Sequence, residues 1–248
     1  MRINEIVDTE FMDVERKRPY DSIELFKQEK RAARRMGAAA HGGSGWYSRG
    51  YQNPRDPHEF VKTTHKPSIL YNDAYFHYVS TISNLQRKNY RNPYFPVVYQ
   101  VKISMDSHGN ERPRYRMETL QDPKQYPIEA IMGMMENMFI DPSTVFGDME
   151  ITEKNKGQIW IELAHRLDYC ILNVNSTSMR NIKDRNLKAA LVIIHNILKK
   201  YDIFEPDIHG NNIMVRGTPY GPQLVLMDPI SDNGESIPSD DVIDNEDL

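Results

Sequence analysis

The sequence predicts an α+β fold in two lobes, a small antiparallel sheet followed by a mostly helical part, with a cleft between them. The first reason is the order of the elements. Short β-prone segments and one helix occupy the first half, and apolar helices with a short β-ribbon occupy the second. The second reason is size, because 248 residues, 39% of them hydrophobic, are enough to bury a sizeable core. Strands give way to helices near residues 120–123, which we take as the lobe boundary.

The composition excludes several classes of protein. No run approaches the roughly 18 apolar residues that a helix needs to span a bilayer, so no membrane partner is expected. Cys170 is the only cysteine, which excludes an intrachain disulfide and a cysteine-rich zinc site. The first residues contain no apolar signal segment, so we expect a cytoplasmic protein.

The first half is predicted to hold a helical extension and then the sheet lobe. Residues 22–36 have helical spacing, and Ser22 is a suitable N-cap, so segment 1–41 is interpreted as a helical extension. The sheet lobe covers residues 42–120. Its predicted elements are strands at 46–51 and 60–64, a helix that starts at Asn72 or Asp73, and a hairpin of strands 94–105 and 114–120.

The second half is predicted to be a helical lobe over residues 121–231, followed by an acidic tail. Its predicted elements are helices at 128–138, 156–169 and 184–201, a polar loop at 205–212 and a strand at 223–227. The tail, 232–248, contains seven acidic residues and no Lys or Arg, and this composition is typical of a disordered segment.

The charge distribution leaves a nucleic-acid interpretation open but does not favour it. Basic residues cluster between positions 16 and 35, and such a stripe can contact phosphates. A solvated helix face is the more common explanation. The formal net charge of −4 also disfavours a nucleic-acid partner.

The strongest signal for chemistry is the polar loop between an apolar helix and a strand. The loop carries Asp207 and Asn212, and Asp228 follows the next apolar strand. Phosphoryl transfer needs such a set: one carboxylate to orient the attacking hydroxyl, and an amide oxygen with a second carboxylate to hold Mg²⁺. Asp and Asn are also ordinary turn residues, which is the alternative for this loop. The apolar strand that ends at Asp228 favours the functional interpretation.

These residues resemble the protein kinase-like superfamily. Segment 207–214 (Asp-Ile-His-Gly-Asn-Asn-Ile-Met) is similar to its catalytic loop, in the style of the small atypical kinases and aminoglycoside phosphotransferases. The Asp-Pro pair at Asp228 stands where these proteins have Asp-Phe-Gly or Asp-Pro-x. Upstream, residues 43–51 are similar to a glycine-rich nucleotide loop, 60–62 to the Val-x-Lys strand, and 116–120 to the hinge. The compact arrangement is also similar to kinase-like proteins of tailed bacteriophages, which would place the protein in the host cytoplasm.

The resemblance implies a small helical lobe and a site for ATP and Mg²⁺. Asp207 and Lys62 would be the catalytic residues, the first at the substrate hydroxyl and the second at the α- and β-phosphates. Asn212 and Asp228 would hold the magnesium ion. The residues implied in nucleotide binding are Gly43, Ser44, Gly45, Lys62, Glu118 and Leu120.

Departures from the family pattern leave a second function open. No Glu lies between Glu59 and Glu111, so the helix after Lys62 lacks the usual acidic partner of that lysine. Glu-Pro at 205–206 stands where the family usually has His-Arg or His-Gly, and only about twenty residues follow the last motif. The alternative is a catalytically impaired pseudokinase that acts as an interaction module on a host or phage protein.

Two geometric expectations follow from these motifs. Asp207, Asn212 and Asp228 should converge on one cleft. Lys62 should lie on a central strand and point at that cleft, with no carboxylate of the following helix in salt-bridge reach.

Overall fold

The computed structural model describes most of the chain between residues 48 and 230. The described residues are 15–17, 48–53, 55–64, 73–105, 111–147, 149, 151–203, 205–210 and 212–230. The helix predicted at 22–36, the acidic tail 232–248 and the residues Gly43, Ser44 and Gly45 lie outside them. Those expectations therefore stay predictions.

The first part of the described chain forms a five-stranded sheet. Its strands are β1 (Glu15–Lys17), β2 (Ser48–Gln52), β3 (Glu59–Thr64), β4 (Val98–Met105) and β5 (Glu111–Glu118). Their order is β1-β4-β5-β3-β2, and every pair is antiparallel except β1 with β4. Strand β3 is hydrogen-bonded on both sides, so Lys62 lies on an internal strand.

Helix α1 (Ala74–Arg87) follows β3 and packs on the sheet. Asp73 caps it, because the Asp73 carboxylate accepts a hydrogen bond of 2.8 Å from the Phe76 N–H. Its apolar residues recur at helical spacing, and Tyr78, Val79 and Ile82 are fully buried. The cap and the buried face together fix where the first turn of α1, with Tyr75, stands relative to the sheet.

The second part is mainly helical. Its helices are α2 (Ile128–Met138), α3 (Ser143–Phe146), α4 (Lys156–Leu172), α5 (Thr177–Asn181) and α6 (Arg185–Lys200). Asp184 caps α6 by accepting hydrogen bonds from the N–H groups of Asn186 and Leu187. The long helices α4 and α6 pack against each other through fully buried apolar side chains such as Leu163 and Leu191.

A β-hairpin follows α6 and delivers two of the predicted site residues. Its strands are β6 (Ile213–Thr218) and β7 (Gly221–Leu226), and they pair so that Ile213 lies opposite Leu226. Gly221 has φ +113°, a backbone conformation that glycine adopts without the strain of a side chain. Since Asn212 immediately precedes β6 and Asp228 lies two residues after β7, the open end of the hairpin holds both.

A charged network ties this hairpin to the sheet. The Arg216 guanidinium on β6 forms a two-point ion pair with the Glu118 carboxylate at the end of β5, and it also donates to the carbonyl oxygens of Pro93 and Phe95 at 2.9 Å each. The Glu118 carboxylate also accepts from the Val97 N–H. These side chains are mostly buried, so the hydrogen bonds that satisfy both charges matter as much as the attraction between them.

The α+β class is confirmed, with a small sheet that is antiparallel apart from its β1–β4 pair and several helices. Strand β1 and the short helices α3 and α5 were not predicted. Of the β-ribbon predicted in the second half, only the strand at 223–227 had bounds, and β6 is its partner. Strand β1 is three charged residues long and pairs through its backbone, which leaves no hydrophobic pattern in the sequence. None of the helices in the described ranges is long and apolar enough to cross a membrane.

Candidate active site

The loop before β6 is fastened to the chain that leaves β7. The Asp207 N–H donates to the Pro229 carbonyl at 2.9 Å, and the Met227 N–H donates to the Asn212 carbonyl at 2.9 Å. Within the loop, the Asn212 side-chain amide donates to the Asp207 carbonyl oxygen at 2.6 Å. These three bonds fix Asp207, Asn212 and the residues around Asp228 against each other, as the spacing predicted.

The charge of Asp228 acts on the carboxyl group of Asp207. The pKa of Asp207 is raised above its usual range, mainly because the side chain is partly withdrawn from water and in smaller part because Asp228 is close. His209, the Asn212 amide and Lys62 act in the opposite direction. His209 Nε2 lies 4.0 Å from Asp207 Oδ1. A carboxylate with a raised pKa is a better proton acceptor, which suits a group at an attacking hydroxyl.

Lys62 points from the sheet into this cluster. Its Nζ lies 2.5 Å from Asp228 Oδ2 and 3.4 Å from the centroid of the Tyr75 ring. The Lys62 side chain is 12% exposed and that of Asp228 is 28% exposed, so both charged groups are partly buried. Helix α1 presents an aromatic ring to Lys62 and has no acidic residue between Ala74 and Arg87. The structure agrees with the first half of the expectation for Lys62, since this residue lies on an internal strand and points at the cluster.

The residues around Asp228 suit a cation that is shared with a ligand. Within the described ranges, no three His, Cys, Asp or Glu side chains are grouped so that they could hold a metal ion. Asp228 and Asn212 offer one carboxylate and one amide oxygen. Magnesium commonly takes one or two protein oxygens and completes its shell with phosphate oxygens and water. Among the described residues, the donor set therefore suits a hard cation such as Mg²⁺ that takes its other ligands from a bound molecule and from water.

In the segment predicted as a hinge, most of the backbone and the Glu118 side chain are already hydrogen-bonded. The Glu118 carboxylate is engaged by Arg216, and the N–H groups of Glu118 and Thr119 donate to the carbonyls of Val97 and His58. The Gln121 N–H donates to the Val215 carbonyl at 2.9 Å. Between them, the backbone of Leu120 makes no hydrogen bond to any part of the chain that the structure describes. Leu120 is thus the predicted hinge residue whose backbone is unengaged within the described ranges, whereas the side chain of Glu118 is held by its ion pair with Arg216.

Phe60 shares the face of the sheet that carries Lys62, since side chains two residues apart on a strand point the same way. Its ring covers Gly50 on the neighbouring strand so closely that a Cβ added to Gly50 would lie 2.0 Å from the Phe60 Cζ. Gly50 is directly opposite Lys62 in the register of β2 and β3. The glycine therefore makes room for an aromatic ring next to the lysine.

Asp168 was not predicted as a site residue, yet its side chain holds the loop that carries Asp207 by a hydrogen bond. This residue lies on α4, and its Oδ1 accepts a hydrogen bond of 3.0 Å from the N–H of Ile208, the residue after Asp207. Burial raises the pKa of Asp168 to about 6, with further raising contributions from the charges of Asp207 and Glu205. An isolated Asp on an otherwise amphipathic helix is a weak signal in a sequence, because most such residues face water.

The raised pKa of Asp168 predicts a pH-dependent stability. The folded protein binds this proton more tightly than the unfolded chain, whose Asp pKa is about 3.9. The contribution of Asp168 to the free energy of unfolding therefore falls as the pH rises from about 4 to 6. Discounted for the partial exposure of Asp168, the fall is about 1–2 kcal/mol. Asp168→Asn removes the titration and should gain that amount relative to wild type between about pH 4.5 and 7, as measured by urea unfolding at each pH.

A matched variant separates the charge from the hydrogen bond. Asp168→Ala leaves the buried Ile208 N–H without an acceptor, so it should be less stable than Asp168→Asn at every pH. A difference between wild type and Asp168→Asn that does not change with pH would show that Asp168 is not a titrating support of the loop.

No protein-family model matches the chain, and no curated protein sequence matches it.

Proposed function

We propose that the protein is a kinase-like phosphotransferase that uses ATP and Mg²⁺. One observation carries the proposal: a lysine on an internal strand, two carboxylates and an asparagine meet at the open end of one hairpin. Each group is of the type that phosphoryl transfer requires, and the four come from three separate parts of the sequence. The identity of the phosphoryl acceptor is left open by this proposal.

Each residue has a defined task in such a reaction. Asp228 and Asn212 would hold Mg²⁺, which supplies positive charge to the phosphate oxygens. Lys62 would contact the phosphates, and Asp207 would orient the acceptor hydroxyl and take its proton. As the bond between the acceptor oxygen and the γ-phosphorus forms, the bond from that phosphorus to the bridging oxygen breaks and ADP leaves. The remaining task, to hold the base, falls to the backbone near Leu120.

A second candidate function rests on the ion pair between Lys62 and Asp228. At 2.5 Å, the lysine that would meet phosphates and the carboxylate that would meet magnesium neutralise each other. A nucleotide with its cation has to separate them. If that separation costs more than the new contacts supply, the protein is a pseudokinase-like module that binds a host or phage protein instead.

Thermal unfolding with ligands tests the proposal. At 100 times its dissociation constant, ATP with Mg²⁺ should stabilise the protein by about 2.7 kcal/mol, which for a chain of this size raises the Tm by about 5–10 °C. ATP with a chelator, and Mg²⁺ alone, are the controls and should give much smaller shifts. Transfer of labelled γ-phosphate to water or to the protein itself reports the chemistry.

The outcomes separate the two functions. Stabilisation that requires both ATP and Mg²⁺, together with release of labelled phosphate, supports the phosphotransferase. Stabilisation without any phosphate release, or no stabilisation at all, supports the interaction module.

A further inference from the structure

Within the described residues, two groups hold the ammonium of Lys62. The binding of a nucleotide with its cation would affect these two groups differently. Asp228 is the stronger partner, at 2.5 Å, but it is also the carboxylate that a cation would take. The Tyr75 ring, whose centroid lies 3.4 Å from Nζ, takes no part in metal binding. An ammonium over the face of an aromatic ring is attracted by the negative potential of that face.

The Tyr75 ring cannot easily move away from Lys62. The residue is 8% exposed, and its ring meets the ring of Tyr115 edge-on at 5.0 Å and 88°. Its hydroxyl donates to the Met117 sulfur at 3.5 Å. Both contacts are with β5, so the ring is clamped between the first turn of α1 and the sheet.

We propose that Tyr75 is the positioning residue of Lys62: its ring holds the lysine ammonium in the site when Asp228 turns to a cation. As far as the nucleotide is concerned, this inference rests on the proposed function. The positioning of the lysine itself is independent of that function and can be measured without a ligand.

A ring is a different kind of partner from a carboxylate. Burial, and in smaller part the charge of Asp228, raise the pKa of the Tyr75 phenol well above its ordinary value, so the ring stays neutral. A neutral ring orients the ammonium without neutralising it. The full positive charge of Lys62 is then available to a phosphate, and α1 needs no acidic residue for this task.

The ring current of Tyr75 provides a direct test in the free protein. Protons above an aromatic face resonate upfield, so the ε-protons of Lys62 should be displaced upfield in a spectrum of protein labelled with ¹³C-lysine. Lys62→Arg assigns the signal by removing it. Tyr75→Phe keeps the ring and should keep the displacement, whereas Tyr75→Leu should lose it. In Asp228→Ala the displacement should remain, because the ring holds the lysine without its charge partner.

Nucleotide affinity is the second readout. Tyr75→Leu should weaken the binding of ATP with Mg²⁺ by about fivefold to thirtyfold, the range expected for a partly desolvated cation–π contact, and Tyr75→Phe should restore it. Phe76→Leu is the matched control, since it removes a buried ring from the same turn of α1 without touching Lys62 and should leave the affinity unchanged.

The results distinguish a failure of the positioning role of Tyr75 from a failure of the proposed phosphotransferase function. A Lys62 signal that stays upfield in Tyr75→Leu, or that loses its displacement in Asp228→Ala, overturns the positioning role. Wild-type protein that shows the displacement but binds no nucleotide leaves Tyr75 as the holder of Lys62 and instead contradicts the proposed phosphotransferase. Equal loss of affinity in Tyr75→Phe and Tyr75→Leu would assign the effect to the hydroxyl and also overturn the inference.

Discussion

Replacing Asp228 with asparagine is expected to abolish the Mg²⁺-dependent part of nucleotide binding. The substitution keeps the shape of the side chain and removes the charge of the proposed magnesium ligand. Because the loss of a residue that merely orients a metal ligand already costs roughly 10–100-fold in affinity, the loss of the ligand itself should cost about 100-fold or more. Calorimetric titration of ATP with and without Mg²⁺ measures the effect.

The same substitution has a second, local consequence. The charge of Asp228 contributes to the raised pKa of Asp207, so Asp228→Asn should lower the pKa of Asp207. Glu136→Gln is the control, because it removes an exposed carboxylate of α2, which carries none of the predicted site residues. If wild type and Asp228→Asn bind ATP equally well in Mg²⁺, no metal is held at Asp228 and the interaction module becomes the better account.

Asp207→Asn should have the opposite profile, with turnover lost and nucleotide binding retained. A positioned proton acceptor commonly contributes about 10²- to 10⁴-fold to a rate, and asparagine cannot take the proton. The dissociation constant of ATP should change little, since the proposed role of Asp207 is at the acceptor hydroxyl. In wild type the rate should rise with pH as Asp207 ionises, with a midpoint above the ordinary Asp value of about 3.9 because burial raises this pKa. Single-turnover rates across pH measure both effects.

Glu205→Gln is the matched control for this prediction. It removes an exposed carboxylate from the same loop, two residues before Asp207, and should leave the rate and its pH profile unchanged. An Asp207→Asn protein that retains the wild-type rate would show that another group receives the proton or that none is needed.

The proximity of Asp207, Asn212 and Asp228 could be predicted from the sequence, but the contacts that hold Lys62 could not. Asp207, Asn212 and Asp228 sit on either side of one hairpin, so short-range pairing determines their meeting, and their spacing could predict it. Lys62 meets Asp228 across 166 residues of chain. The Val-x-Lys motif predicted that Lys62 points at the cleft, but it did not predict a direct ion pair with Asp228 or the contact with the Tyr75 ring.

The supporting residues were hidden for a different reason. Tyr75 has the spacing of an ordinary core residue, because a ring that binds an ammonium and a ring that only fills space leave the same pattern in a sequence. Asp168 can be recognised as a support of the loop only from the structure, which shows that it accepts a hydrogen bond from the Ile208 N–H. Glu118, predicted for the nucleotide, proves to have its side chain committed to Arg216, a partner 98 residues away.

The pairing of β6 with β7 limits which insertions and deletions this hairpin can accept during evolution. Its register places Ile213 opposite Leu226. At the next pair toward the open end, the Met227 N–H donates a hydrogen bond to the Asn212 carbonyl. Adding a paired residue to each strand would lengthen the hairpin at its far tip, where Tyr220 is 99% exposed, and would leave the open end as it is. Losing a single residue from one strand would slip the register and turn every following side chain to the other face. Natural length variation at this tip should therefore occur in matched pairs. A lone insertion or deletion within the strands should move Asp228 out of its place beside Asn212.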